Sequence, residues 1–599
     1  MKHARERVDP ETGERYLAVT ARGVQLKDDP VLNKGTCFTQ GEREQLGLLG
    51  LLPPSIQTPE EQLARAYENY QRADGDVRRY LFLAGLQDRN ETLFCQLVLR
   101  HLQEMIPIIY TPTVGKACEQ YSHIYRRARG LYVTPQDRGR LPDLLRNAAA
   151  DDPRVIVVTD NEAILGIGDQ GVGGMPIAIG KLALYTVGAG IHPSQCLPLD
   201  LDVGTDSPAL LSDPLYLGVP ERRLRGAPYF ALLDELVDAI ATVYPNALVQ
   251  WEDFANRNAF AVLDRYRRRL LSFNDDIQGT GAVVVAGIRT ALYRVGSTLA
   301  DARIVFYGAG ASGGGSALAV RAALRAAGVS EEDLDLRVLC LDSKGLIVAD
   351  RPGLDGAKLE IATEPAFVAS WLSGFSGFGS GHAAPQLADV VRGFRPTVLV
   401  GVSGQPGAFT EAIVRDMLAG CPRPVVLALS NPNTKIEVAP AELLRWTNGA
   451  AVVGTGGPFA PVEINGRTRV IGQGNNVLIF PGVGLGATAV GARWLPDEAF
   501  EAAAKALFEF TTARSWPGDP IYPPLTEIRE VSRRVALAVG TDLVRVGAAP
   551  AMPVEDIDRC VKAGMWTPEY LTYRPESRVQ GPESLPGSAS VPSPESVTV

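Results

Sequence analysis

Apolar residues along this chain fall into short continuous runs, separated by longer stretches in which they recur every three or four positions. Val155-Ile156-Val157-Val158, Ala247-Leu248-Val249-Gln250-Trp251, Leu270-Leu271-Ser272-Phe273, Ile304-Val305-Phe306-Tyr307, Val338-Leu339-Cys340-Leu341, Val398-Leu399-Val400 and Val425-Val426-Leu427-Ala428-Leu429 read as buried strands. Between the second and third runs, Phe254, Ala255, Ala259, Val262, Leu263 and Tyr266 form one side of a helix. Strands alternating with helices predict parallel sheets covered on their faces. Leu46 to Tyr132 is mainly helical in pattern. The expectation is an α/β protein with a helical N-terminal region, a parallel-sheet domain and a second, Rossmann-like domain. Residues 1–25 are polar and read as a mobile segment, 26–277 as the first domain, 278–548 as the second, and the Pro-, Ser- and Glu-rich 549–599 as a disordered tail.

Four carboxylates stand at the ends of two of these strands: Glu252-Asp253 after Trp251, and Asp275-Asp276 after Phe273-Asn274. A strand–helix–strand unit makes the two strands parallel, so both acidic pairs reach the same sheet edge, where ligands bind in open α/β sheets. Carboxylates crowded together repel unless a cation joins them, and two or three suit Mg²⁺ or Mn²⁺. The plainer reading is helix capping, with Glu252-Asp253 at one helix N-terminus and Asp275-Asp276 capping a helix at Ile277.

The totals narrow the function class. A net charge of −9 over 599 residues argues against a nucleic-acid partner. Seven cysteines without a C-x-x-C spacing read as reduced thiols and, with the absence of a leader-like start, place the protein in the cytoplasm. No apolar run is read as a membrane span. His101, His123, His192 and His382 fit no metal-ligand spacing.

After Ile304-Val305-Phe306-Tyr307 comes Gly308-Ala309-Gly310-Ala311-Ser312-Gly313, then an alanine-rich helix and a strand ending at Asp342. Gly308, Gly310 and Gly313 permit a tight turn and close approach of backbone to a pyrophosphate at a helix N-terminus. Asp342 favours NAD by accepting from a ribose hydroxyl; Lys344 could neutralise a 2′-phosphate and favour NADP.

These segments together resemble the malic enzyme family, over roughly Val31 to Val544. The resemblance rests on Pro107-Ile108-Ile109-Tyr110-Thr111-Pro112-Thr113-Val114-Gly115, Gly166-Ile167-Gly168-Asp169-Gln170-Gly171, Gly180-Lys181-Leu182, both acidic pairs, the glycine turn, Ser430-Asn431-Pro432, Gly472-Gln473-Gly474-Asn475-Asn476 and Phe480-Pro481-Gly482. It implies a metal-dependent, oxidatively decarboxylating malate dehydrogenase acting on L-malate as a homodimer or tetramer. Glu252, Asp253 and Asp276 would hold Mg²⁺ or Mn²⁺, Lys181 would be the general base with Asp275 as its partner, and Tyr110 the general acid. Asn431 and one or both of Asn475 and Asn476 would contact substrate and nicotinamide. Arg65 and Arg89 match positions used for an activating carboxylate in some relatives.

The chain also departs from the family pattern. The usual Gly-Glu-Arg-Ile-Leu-Gly, whose arginine grips a malate carboxylate, is Asn161-Glu162-Ala163-Ile164-Leu165-Gly166, and Ala163 cannot make a charge-assisted contact. Pro176 and Ala178 alter the stretch before Lys181, and Gly457 stands where serine is common. Ala163 and Ile177-Ala178-Ile179-Gly180-Lys181 look more like malolactic enzymes, which keep NAD bound and release lactate. Three outcomes are therefore weighed: NAD-linked malic enzyme, malolactic enzyme, and a non-catalytic binding or regulatory paralogue.

Overall fold

The computed structural model describes residues 3–576 apart from 149, 151, 165, 355 and 373–383. Its first large sheet sets five strands side by side in the order Leu131–Val133, Cys196–Leu201, Val155–Thr159, Leu248–Glu252 and Ser272–Asn274, all parallel. Every residue of Val155–Thr159 and Leu248–Glu252 is buried, as expected of strands covered on both faces. Val249 lies opposite Ser272, Gln250 opposite Phe273, and Trp251 opposite Asn274. That register brings Glu252-Asp253 and Asp275-Asp276 off the sheet at neighbouring points on one edge. Helix Asn256–Tyr266 between them buries Ala259, Val262, Leu263 and Tyr266. Trp251 meets Phe254 edge-on at 5.7 Å. Each large apolar side chain buried here contributes on the order of 2 kcal/mol.

The second sheet runs Gly345–Leu346, Val338–Asp342, Ile304–Tyr307, Val398–Gly401, Val425–Ala428, Val452–Thr455 and Gly472–Gln473, with only the short Gly345–Leu346 antiparallel. Chain order reverses between Ile304–Tyr307 and Val398–Gly401, which makes their carboxyl ends a switch-point crevice of the kind that takes nucleotides. Helix Thr280–Val295, directly after the second acidic pair, packs against Ala311–Ala326 and Asp497–Thr512 and so ties the two sheets together. Gly315 makes the approach possible: a β-carbon there would lie 2.7 Å from the carbonyl oxygen of Ile277.

Two expectations need correction. Residues 1–25 are not a mobile segment throughout: Ala4–Val8 and Arg15–Val19 form a hairpin, and Thr572–Pro575 adds to it as a third, parallel strand. Nor is 549–599 wholly a tail, because Val554–Ala563 is a helix; 577–599 lie outside the described residues. Both ends hold because Leu17, Val19 and Tyr573 share a small core. Buried Glu42 accepts from the Tyr573 amide at 2.8 Å, and Lys34 donates to the Leu571 carbonyl at 2.9 Å. A strand whose partner lies some 550 residues away leaves little periodic signal of its own. Residues 171–189 are by length and composition apolar enough to cross a membrane, but 94% of the apolar window is buried inside the fold.

Candidate active site

The site forms where the first sheet's carboxyl edge meets the crevice of the second. Glu252 ends its strand, and Asp253 takes a left-handed φ of 56° that turns the chain sharply toward Asp276. Asp276 Oδ2 accepts from the Asp253 amide at 2.8 Å. One carboxylate oxygen from each of Glu252, Asp253 and Asp276 lies within 4.8 Å of the others, and all three residues are buried. Burial, then the Asp276 and Glu252 carboxylates, hold Asp253 well above the usual carboxylate range; burial and Glu252 do the same for Asp276. Three buried oxygens that repel one another are a hard donor set suited to a divalent cation, so these residues fit the metal that the family motif implies. The capping alternative does not hold. Asn274, not an aspartate, accepts from the Ile277 amide at 3.0 Å, and the helix after Asp253 begins at Asn256 without a side-chain cap.

Lys181 comes from helix Met175–Leu184, whose first turn accommodates Pro176. Its side chain is fully buried, with Nζ 2.5 Å from Asp275 Oδ2 and 2.9 Å from Glu252 Oε1. Gly180 allows the helix to sit this close, since a β-carbon there would be 2.8 Å from the Ile109 carbonyl oxygen and 3.1 Å from the Tyr110 ring. Burial alone would lower the affinity of Lys181 for its proton, but the Asp275 and Glu252 carboxylates outweigh that and hold it well above the ordinary lysine value. Burial pushes Asp275 upward as Lys181 pulls it down. With two carboxylates around one ammonium, the proton stays on the lysine and Asp275 is its ionised partner. Asn476 Nδ2 donates to the same Asp275 oxygen at 2.6 Å. Tyr110, at the end of helix Leu102–Ile109, points its hydroxyl at Glu252 Oε1 at 3.3 Å. Burial keeps its phenol protonated well above pH 10.

A cavity of about 370 Å³ opens over these groups, with Tyr110, Glu252, Asp276, Asn431, Asn475 and Asn476 in its wall. Asn475 also caps the following turn through the Val477 amide at 3.0 Å. A neighbouring cavity of about 700 Å³ includes Gly308, Gly310 and Asp342. Gly308 has φ 115° and Gly313 would put a β-carbon 2.1 Å from the Gly308 carbonyl, so the turn is a bare backbone cradle that fits a pyrophosphate. Asp342 is engaged by Arg351 at 2.5 Å and Lys358 at 2.8 Å; burial raises it, but those cations hold it at about 2.

Sequence reasoning missed several of these partners. Asn256 Oδ1 accepts from the Ala311 amide at 2.7 Å, bridging the metal-side segment to the glycine turn. Arg351 and Lys358 reach Asp342 from beyond the strand, and only their nearness in sequence could have suggested it. Gly457 also gains a reason: a β-carbon there would fall 1.9 Å from Asn433 Oδ1, so the asparagine fills the space a serine would need. Ala163 offers its amide to the Asp253 carbonyl at 3.0 Å and has no polar side chain. Arg65 bonds to Gln57, and Arg89 to the Gly85 carbonyl at 3.0 Å; among the described residues no hydrogen bond or ion pair joins the two.

Comparison with known proteins bears directly on this arrangement. Residues 87–267 match the model of the malic enzyme N-terminal domain, and 277–544 that of the malic enzyme NAD-binding domain. The chain belongs to the malic enzyme family. A Pseudomonas syringae pv. tomato protein named NAD-dependent malic enzyme is 45% identical over 566 residues, spanning 94% of this chain and 100% of its own. One of the same name from Pectobacterium atrosepticum is 43% identical over 560 residues, covering 94% and 98%. Among solved structures, Entamoeba histolytica malic enzyme shares the fold, with a TM-score of 0.53, 23% identity and coverage of 87% of this chain and 90% of its own. The family thus confirmed has an α/β architecture with a Rossmann-like NAD-binding domain, as the strand pattern implies.

Proposed function

We propose that the protein oxidises and decarboxylates L-malate to pyruvate and CO₂ with reduction of NAD. The observation that carries this reading is the Lys181–Asp275 pair lodged 2.9 Å from Glu252, one member of the buried carboxylate trio. Glu252, Asp253 and Asp276 would hold a dication, which would supply electron withdrawal at the substrate's C2 oxygen as the C2 hydride passes to the nicotinamide. With Glu252 engaged by the dication, Lys181 would lose one of the two anions holding its proton and could pass that proton to Asp275, 2.5 Å away; the neutral amine would then take the C2 hydroxyl proton. Asp275, steadied by Asn476, keeps the lysine aimed through the transfer. Cleavage of the C3–C4 bond releases CO₂ and leaves an enolate, and Tyr110 delivers a proton to C3. A phenol held protonated by burial suits that donation. Asn431 and Asn475 lie in the same cavity wall and orient the substrate.

NAD is the cofactor in this reading, matching the names of the relatives at 43–45% identity. Asp342 remains the ribose-facing acid, with Arg351 and Lys358 beside it. A homodimer or tetramer is part of the proposal, to be read by light scattering. So is a cytoplasmic location, supported by seven unpaired thiols and checked by fractionation. The deciding experiment supplies L-malate, Mn²⁺ and NAD and identifies the product. Pyruvate with matching NADH is expected. Lactate without net NADH would mean malolactic chemistry, and nucleotide binding without turnover would mean a non-catalytic paralogue.

A further inference from the structure

Malate carries two carboxylates. A dication held by Glu252, Asp253 and Asp276 and drawing on the C2 oxygen would have the adjacent C1 carboxylate within reach, which would leave the other without a cationic partner, because Ala163 stands where the family arginine would be. We propose that Lys435 is the residue that grips this second carboxylate. The inference rests on the malate reading and deepens it.

Lys435 closes the short turn Asn433–Lys435 that follows Ser430-Asn431-Pro432. It lines the same cavity as Tyr110, Glu252, Asp276 and Asn431, and it is the one cationic side chain in that cavity's wall. The turn is pressed against the very loop that lacks the arginine. A β-carbon on Gly166 would lie 2.6 Å from Pro432 Cδ and 3.3 Å from the Asn431 carbonyl oxygen. Gly166 is three residues beyond Ala163, so the turn that carries Lys435 packs against the loop in which the family arginine is replaced.

Other candidates are committed elsewhere. Arg225 pairs with Glu162 at 2.8 Å and with Asp206, and Arg257 pairs with Glu162 while lining the nucleotide cavity beside Gly308 and Gly310. Lys181 is enclosed by Asp275 and Glu252. Among the described residues no carboxylate pairs with Lys435. The nearest acid in sequence, Glu437, is fully buried and already accepts from Ser430 at 2.6 Å and Ser403 at 2.8 Å. An exposed lysine in the wall of the cavity that also presents Glu252, Asp276 and Asn431 offers a dicarboxylate its missing counter-charge. As a mobile point charge, it does so without the bidentate fork of arginine.

The test uses the full-length protein with Mn²⁺. Lys435→Met is expected to raise the KM for L-malate roughly tenfold or more, with the KM for NAD nearly unchanged, and Lys435→Arg to recover most of the loss. Calorimetric binding of L-malate to the Mn²⁺-loaded, NAD-free protein should weaken by the same factor. Inhibition by oxalate, whose two carboxylates close a single chelate ring, should persist. A Lys435→Met enzyme with wild-type affinity for malate overturns the assignment, as does a loss confined to NAD. Transfer of the malate effect to Arg257→Gln would overturn it in favour of that arginine. A wild-type protein that turns over no malate would instead overturn the functional reading, and the proposal with it.

Discussion

Lys181→Met tests the charge logic of the site separately from its chemistry. Methionine keeps the length and apolar stem of lysine and deletes only the ammonium. Asp275 is then left fully buried with Asn476 as its remaining donor, at 2.6 Å, its Oδ1 having no partner at all. Breaking a buried ion pair by removing one member costs about 3–5 kcal/mol. Proton uptake sets a ceiling: holding an ordinary aspartic acid protonated at pH 7 costs about 4 kcal/mol, and at pH 5.5 only about 2 kcal/mol. The metal-free variant should therefore lose about 3–4 kcal/mol at pH 7 and about 2 kcal/mol at pH 5.5. The sign follows from linkage. A carboxyl with a raised folded-state pKa keeps a proton that the unfolded chain releases, so stability falls as pH climbs above the unfolded value. The assay is urea unfolding in EDTA at the two pH values, converting midpoint shifts with the wild-type slope. Adding Asp275→Asn removes the stranded charge and should restore about 2 kcal/mol. A single variant as stable as wild type at pH 7, or a deficit that does not shrink at pH 5.5, would refute the reasoning.

Other expectations follow from neighbouring features. Asp276→Asn relieves the crowding of Glu252 and Asp253, so it should stabilise the metal-free protein by about 1 kcal/mol or more while abolishing high-affinity Mn²⁺ binding, read by thermal shift and electron paramagnetic resonance. Gly180→Ala drives a β-carbon into the Ile109 carbonyl and the Tyr110 ring; it should cost about 1–3 kcal/mol and depress kcat more than it alters the KM for NAD, which steady-state kinetics would show. The part-buried His192, bonded to Ser194 at 2.8 Å and edge-on to Trp566, is held down at about 4 by burial. Stability that is complete above pH 6.5 should then fall by about 2–3 kcal/mol as pH drops toward 4, and His192→Phe should flatten that slope in acid-unfolding curves. Amides of Arg15–Val19 and of residues 572–574 should be protected from hydrogen exchange, and exchange at the rate of a free peptide would contradict their pairing.

Much of the site was legible because it is built from local signals at strand ends. Glu252-Asp253 and Asp275-Asp276 follow buried runs with a helix of the right period between them, and parallel pairing then leaves little choice about where they meet. The glycine turn was readable for the same reason. What escaped reading depends on chain segments far apart in sequence. Thr572–Pro575 completes the N-terminal hairpin, Asn476 reaches Asp275 across 201 residues, and Asn433 occupies the space beside Gly457. Ala163 showed that a cation was missing, but the position of Lys435 over the same cavity is a property of the packed turn and not of any motif. The 171–189 helix is long and apolar enough to cross a membrane, and the packing around it makes it core.

Anomalous diffraction at the manganese edge, from crystals grown with Mn²⁺ and L-malate, tests the central claim most directly. The account predicts one strong peak within bonding distance of Glu252, Asp253 and Asp276. Full occupancy of a different site in an active crystal, with those three carboxylates left unliganded, would contradict it.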